Sequence, residues 1–182
     1  ALGMYDDVSN GLILDDKSNL ETLSKRDVEV NRQYFLLVRL IRSSLVDKKL
    51  ANVFNLENID ILDYRVAANL LENAGDTIVE LANFIFNSSL SKEHLQKIFD
   101  VVQNFNTLAE KSINAFTKSD RRLAIEAISL HRKYQENLSK LRITLGNKKQ
   151  IPIDFLDLVY MFERIAKSWA DLVDLVKPIY NK

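Results

Sequence analysis

The sequence predicts an all-α fold of two tandem three-helix bundles, a duplicated helical bundle with six helices in all. Three observations predict it. Only four glycines and two prolines punctuate 182 residues, and no stretch keeps the two-residue alternation of a strand for more than a few positions. Apolar residues instead recur every three or four positions, the spacing of one helix face. The segments also repeat. Shifted by 91 residues, "LDYRVAANLLENAGDTIVELA" (62–82) falls on "IDFLDLVYMFERIAKSWADLV" (153–173), with Asp63 over Asp154, Tyr64 over Phe155, Glu72 over Glu163 and Leu81 over Leu172.

Taken in order, a short helix is expected over about 3–13. A long one follows over about 16–46, capped by Asp15 or Asp16, with the seam Leu20, Leu23, Val30, Tyr34, Leu37, Ile41. "DKKLANVFNLEN" (47–58) reads as a loop. The third helix covers about 58–87, with the seam Tyr64, Ala67, Leu71, Ala74, Ile78, Leu81, Ile85. After "NSSLSKEH", a fourth covers 91–117, with Leu95, Ile98, Val102, Phe105, Ala109, Ile113 and Phe116 on one side. Ser119 or Asp120 caps a fifth at 120–145, which Gly146 and Asn147 stop. Pro152 opens the sixth, 152–178, and Pro178 ends it. Its seam is Phe155, Leu158, Phe162, Ile165, Trp169, Leu172, Val176, so the lone tryptophan reads as packing. A shift of 104 lays Asp16 on Asp120, and the difference of 13 from the other offset is the extra loop before the third helix. Units this small bury little alone and pack on their copies, which divides the chain into a first bundle at 1–88 and a second at 89–182.

Composition narrows the function. The absence of cysteine excludes disulfides, thiolate metal sites and a cysteine nucleophile. No window approaches the ~20 apolar residues of a membrane span, and "ALGMYDDVSNG" lacks the basic and apolar regions of a signal peptide. These features point to a cytoplasmic protein, and a start without methionine leaves room for a missing upstream segment. Net charge is zero, which argues against direct nucleic-acid binding through a basic surface. The zero conceals an asymmetry. Residues 1–88 hold 9 Lys and Arg against 14 Asp and Glu, a balance of −5, and residues 89–182 hold 16 against 11, a balance of +5. Such halves can attract each other in a homodimer or present a basic face to a partner, with Arg121, Arg122, Arg132, Lys133, Lys140 and Arg142 as candidates. The few scattered glycines make no phosphate loop. Neither His94 nor His131 follows a glutamate by three residues, as a ferritin-like di-iron site requires. No catalytic residue is expected.

The stretch "LLENAGDTIVELA" (71–83) raises the sharpest question. A second apolar line, Ala68, Gly75, Val79, Ala82, Phe86, leaves a vacant step that Glu72 fills, and Asp76 lies one turn further along. Asp27 fills the gap in the seam of the second helix, and Asn31 stands four residues on. Two helices of one bundle thus each offer a pair of oxygen ligands, a pattern that suits iron, manganese or magnesium. The competing reading is ion pairing with Arg26, Arg32 or Arg65. Gly75 reads as a close approach between helices.

"RDVEVNRQYFLLVRLIRSSL" (26–45) followed by "ILDYRVAANLLENAGDTIVELA" (61–82) resembles the PhoU family of phosphate-uptake regulators, its archaeal members especially. The resemblance rests on the acidic D-x-E-x-N step into "YFLLVR", on L-D-Y-R-x-x-A, and on the E-x-x-x-D of Glu72 and Asp76. It implies two three-helix bundles and no catalytic activity. It also implies a cytoplasmic protein that acts on the ATPase of the phosphate ABC transporter and, in bacteria, on a sensor kinase, reaching the membrane only through that partner. Multinuclear metal at E(D)-x-x-x-D motifs, one cluster per bundle, belongs to the same resemblance. Carried over here, the first cluster falls on Glu72, Asp76 and Asp27, with Asn31 where an acid is usual. The second half keeps Glu163 but sets Lys167, His131 and Gln135 at the remaining positions, so if a divalent or iron-type metal binds, the first bundle alone is expected to hold it. Two other roles remain open, a metal-binding helical scaffold and the effector domain of an AbrB-like transcription regulator.

Overall fold

The computed structural model describes residues 2–14, 20–88, 90–102, 105–146 and 152–176. Every element among them is a helix: α1 (Leu2–Leu14), α2 (Leu20–Val46), α3 (Lys48–Val53), α4 (Asn58–Asn87), α5 (Lys92–Val102), α6 (Phe105–Lys118), α7 (Arg121–Gly146) and α8 (Ile153–Val173). The expected caps at Asp15 and Asp16, the stop at Asn147 and the end at Pro178 lie outside the described residues.

Local chemistry accounts for the ends. Asp120 Oδ1 accepts the backbone N–H groups of Arg122 and Leu123 at 2.9 and 3.1 Å, which caps α7 as expected. Just before it, Ser119 adopts φ 51°, and the N–H of Asp120 reaches the Ala115 carbonyl at 2.9 Å, the left-handed close of α6. The expected loop at 47–58 needs correcting. Asp47 Oδ1 accepts from the Lys49 and Leu50 amides, nucleating α3 and burying Ala51, and Asn55 at φ 51° ends the turn. The fourth expected helix is described as α5 and α6, with residues 103 and 104 outside the described set. The sixth ends at Val173, short of Pro178, and residues 174–176 form a turn.

α2 packs on α4, α6 to α8 pack on one another, and α4 lies along α8 as the matched offset of 91 anticipates. The α8 seam is fully buried from Phe155 through Leu172, and each such side chain contributes about 1.5–3 kcal/mol of transfer free energy. α1 ties the halves together. Its Tyr5 ring stacks on Phe105 of α6 at 3.9 Å between centroids and meets Phe162 of α8 edge-on at 6.3 Å, and its hydroxyl donates to the Val102 carbonyl at 3.4 Å. One hydrophobic cluster therefore runs through α1, α2 and α4 to α8, and a smaller one joins Ile41, Ala51 and Ile61. Two apolar positions of α4 depart from expectation: Tyr64 is 37% exposed although its ring meets Phe116 of α6 edge-on at 5.3 Å, and Phe86 near the end of the helix is exposed as well.

Candidate functional site

α2 and α4 approach closely where Gly75 faces Val30, and a Cβ at Gly75 would lie 3.4 Å from Val30 Cγ1. That contact is an ordinary van der Waals distance, so the glycine marks the approach without being demanded by it. The same approach draws Asp27, Glu72 and Asp76 into one electrostatic neighbourhood. Partial loss of water raises the Glu72 carboxyl above its usual range, Asp76 and Asp27 raise it further, and only Arg65 pulls it back. Asp76 is raised by the same desolvation and by Asp27 and Glu80. Asn31 Nδ2 donates to Asp27 Oδ2 at 3.1 Å, while Asp27 Oδ1 is buried with no hydrogen-bond partner. A buried acceptor left without a donor is costly.

The arginines proposed as counter-ions are engaged elsewhere. Arg26 bonds to Asp7 and to the Gly3 carbonyl of α1. Arg32 lies 3.8 Å from Glu29, and Arg65 sits over the Tyr34 ring at 5.6 Å. Among the described residues neither Glu72 nor Asp76 has a cation at ion-pair distance. The side chains also do not converge as a ligand set, for no three His, Cys, Asp or Glu among the described residues are grouped tightly enough to hold a metal ion.

The equivalent place in the second half is solved differently. Glu163 accepts from Arg142 Nη2 at 2.6 Å. Lys167, the counterpart of Asp76, bonds to Asp171 at 2.6 Å and not to Glu163. Arg142 answers to Val38 at the offset of 104, so the guanidinium has no counterpart in the first half. That offset is the signal by which sequence reasoning could have found it. His131, the counterpart of Asp27, has its pKa lowered first by burial and then by Lys167, and its Nε2 is buried without a partner.

Glu72 also lines a cavity of about 430 Å³ where α2 and α4 meet α6 and α8, walled by Val30, Tyr34, Leu37, Leu71, Ile113 and Trp169. Trp169 is 2% exposed, which bears out its reading as packing, although its indole N–H finds no acceptor. No helix among the described residues is long and apolar enough to cross a membrane. Compared with protein-family models, with curated proteins and with solved structures, the chain finds no match.

Proposed function

We propose that this chain is a non-enzymatic regulator of phosphate uptake that works in the cytoplasm by binding the ATPase of the phosphate ABC transporter. The observation that supports this reading is that desolvation, and then the neighbouring acids, Asp27 of α2 among them, raise the carboxyls of Glu72 and Asp76 on α4 with no cation at ion-pair distance of either among the described residues, and that Asp27, Glu72 and Asp76 are residues carrying the PhoU resemblance. An E-x-x-x-D step needed only for packing would find its counter-charge within the fold, as Glu163 does. Without a cysteine or a phosphate loop, the helical surfaces must supply recognition.

A second reading, a metal-binding scaffold, is favoured by the orphaned Asp27 Oδ1. The oxygen donors are of the type that hard divalent or iron-type cations prefer, but Asp27, Glu72, Asp76 and the Asn31 amide are not gathered tightly enough to hold one as they stand, so this reading requires their side chains to close on the ion. Such a cation would neutralise three carboxylates that now repel one another.

Affinity purification of the tagged chain from cells grown at high and low phosphate, with uptake measured after deletion, tests the first reading. Recovery of the transporter ATPase and deregulated uptake are expected. Unchanged uptake and recovery of the chain alone would overturn it. Elemental analysis of the wild type against Glu72→Ala tests the second. Loss of metal in the variant is expected, and equal content in both would refute the site.

A further inference from the structure

The two halves fill matched interiors with different side chains. The cavity of about 430 Å³ beside Glu72 takes its walls from α2, α4, α6 and α8, and Ala68 and Trp169, 4% and 2% exposed, are its most buried lining residues. Small-molecule sites have volumes of roughly 300–1,000 Å³ and are mostly apolar with a few placed polar groups, and this cavity fits both descriptions. At the offsets of 104 and 91, its wall residues Val30, Tyr34, Ala68 and Leu71 answer to Tyr134, Leu138, Val159 and Phe162. The second half therefore carries, in sum, a phenylalanine where the first carries an alanine. All of those counterparts are buried, between 0 and 5% exposed, so the added ring is part of the packed interior.

Charge is matched just as unequally. Glu163 holds Arg142 at 2.6 Å, whereas Glu72 stands at the matched step and the residue answering to Arg142 is Val38. Two carboxylates line the cavity, and no lysine or arginine does. Glu29 is engaged, since its carboxylate accepts from Gln33 Nε2 at 2.7 Å and lies 3.8 Å from Arg32. Glu72 has no cation at ion-pair distance among the described residues, and Arg65 sits instead over the Tyr34 ring at 5.6 Å. The Trp169 indole N–H, buried without an acceptor, is a further polar group that the chain leaves unmatched.

We propose that this cavity binds a small aromatic amine, with its ring in the apolar space lined by Leu71, Ile113 and Trp169 and its ammonium on the Glu72 carboxylate. The second half draws an apolar ring and a cation from its own Phe162 and Arg142. Such a molecule brings both to the first half in one piece. The apolar walls select the organic body, and a charge-assisted hydrogen bond to Glu72 selects the ammonium end over a neutral or acidic one. The inference goes beyond the regulatory reading and needs no metal, since a metal ion would meet the charge of Glu72 and leave the apolar space unfilled.

Trp169 is the chain's one tryptophan, so its fluorescence reports the cavity directly. The full chain, treated with EDTA to keep metal out of the reading, is titrated with phenethylamine, phenethyl alcohol and hydrocinnamate, which share a ring and differ in the end group. Saturable binding of the amine is expected, at least about fivefold tighter than the alcohol, with the carboxylate weaker still. Glu72→Gln is expected to bring the amine down to the affinity of the alcohol and to leave the alcohol as it was, a split that a merely structural role would not produce. Ala68→Val and Leu71→Phe install the residues of the second half, and each is expected to weaken amine and alcohol together. Circular dichroism melts verify that the variants fold, and Glu72→Gln decides the matter if a filling variant does not. No saturable change with the amine, an amine that binds no tighter than the alcohol, or a preference that survives Glu72→Gln would each overturn the proposal. Elemental analysis of untreated protein is read separately, so a chain that holds metal but not amine would overturn this inference and leave the metal-scaffold reading standing.

Discussion

Replacing Asp76 by the residue at its counterpart position, Asp76→Lys, puts the charge account of the site to a direct test. In the native chain Glu72 and Asp76 stand one turn apart on α4, and Asp27 raises both carboxyls. The substitution removes a like-charge i, i+4 pair that destabilises by roughly 0.2–0.5 kcal/mol and installs an attractive one of roughly 0.3–0.5 kcal/mol. Asp76 is exposed, so solvent screening holds the sum to about 0.5–1 kcal/mol. At about 2–4 °C per kcal/mol for a chain of this size, Tm should rise by about 1–4 °C at low ionic strength and the gain should fade in salt.

The pH dependence gives the same test a sign. The folded carboxyls are raised above the model values of 4.5 for Glu72 and 3.8 for Asp76, so between those values and the raised ones the native state binds more protons than the unfolded state. Stability is therefore lost as pH climbs through that window and regained on acidification. In Asp76→Lys this slope should flatten. Melts followed by circular dichroism, with and without added manganese or ferrous ion, read all three effects. On the metal-scaffold reading the metal raises the wild-type Tm and leaves the variant unmoved, and no rise in the wild type would count against that reading. No gain in Tm at low salt, or a gain indifferent to salt, would refute the claim that these acids repel one another.

Four further outcomes are expected. Gly75→Ala should stabilise the chain by about 0.5–1 kcal/mol in chemical denaturation, because the added Cβ meets Val30 only at 3.4 Å and helical glycine is costly; the counterpart position already holds Ala166, fully buried. Ser119→Gly should add about 1 kcal/mol by relieving a left-handed non-glycine residue at φ 51°. Arg142→Ala should cost roughly 1 kcal/mol, since Glu163 then loses its 2.6 Å partner while still partly buried. His131→Gln should remove a stability loss that begins as pH falls below about 6.5, because burial lowers the native pKa and the unfolded chain takes up the proton first.

The helices are legible in the sequence because their periodicity is strong and their punctuation local. α4 begins at Asn58 and ends at Asn87 as its seam implies, and Asp120 announces α7 by its own capping bonds. α3 is harder to see, since six residues carry too little periodicity, and only Asp47 before "KKLA" signals it. The acidic neighbourhood is legible too, because Glu72 and Asp27 interrupt apolar lines. Its lack of cations is not, for whether Arg26 turns to Asp27 or to Asp7 depends on where α1 lies, which no spacing on α2 encodes. The bond from Arg142 to Glu163 crosses between helices 21 residues apart, and only the alignment of the two halves, which sets Arg142 against Val38, hints that one of two equivalent glutamates is satisfied.

That inequality sets a paired carboxylate against an unpaired one at matched positions. Glu72 and Glu163 occupy matched steps on matched helices, so whatever packing asks of one it asks of the other. In the second half a guanidinium meets the charge at 2.6 Å, and Lys167 is spent on Asp171. In the first half the equivalent of that guanidinium is a valine and the equivalent of the lysine is a third acid; partial desolvation and then Asp76 and Asp27 raise the Glu72 carboxyl, and Asp27 keeps an unbonded oxygen. Nothing in the backbone forces this difference, because the second half shows that the same architecture accommodates the neutral solution. A chain that forgoes an available ion pair at one of two equivalent positions bears a local cost, and costs of that kind persist where something binds. The proposed cation between α2 and α4, or the basic face of a partner laid across them, would supply the counter-charge that Arg142 supplies in the second half.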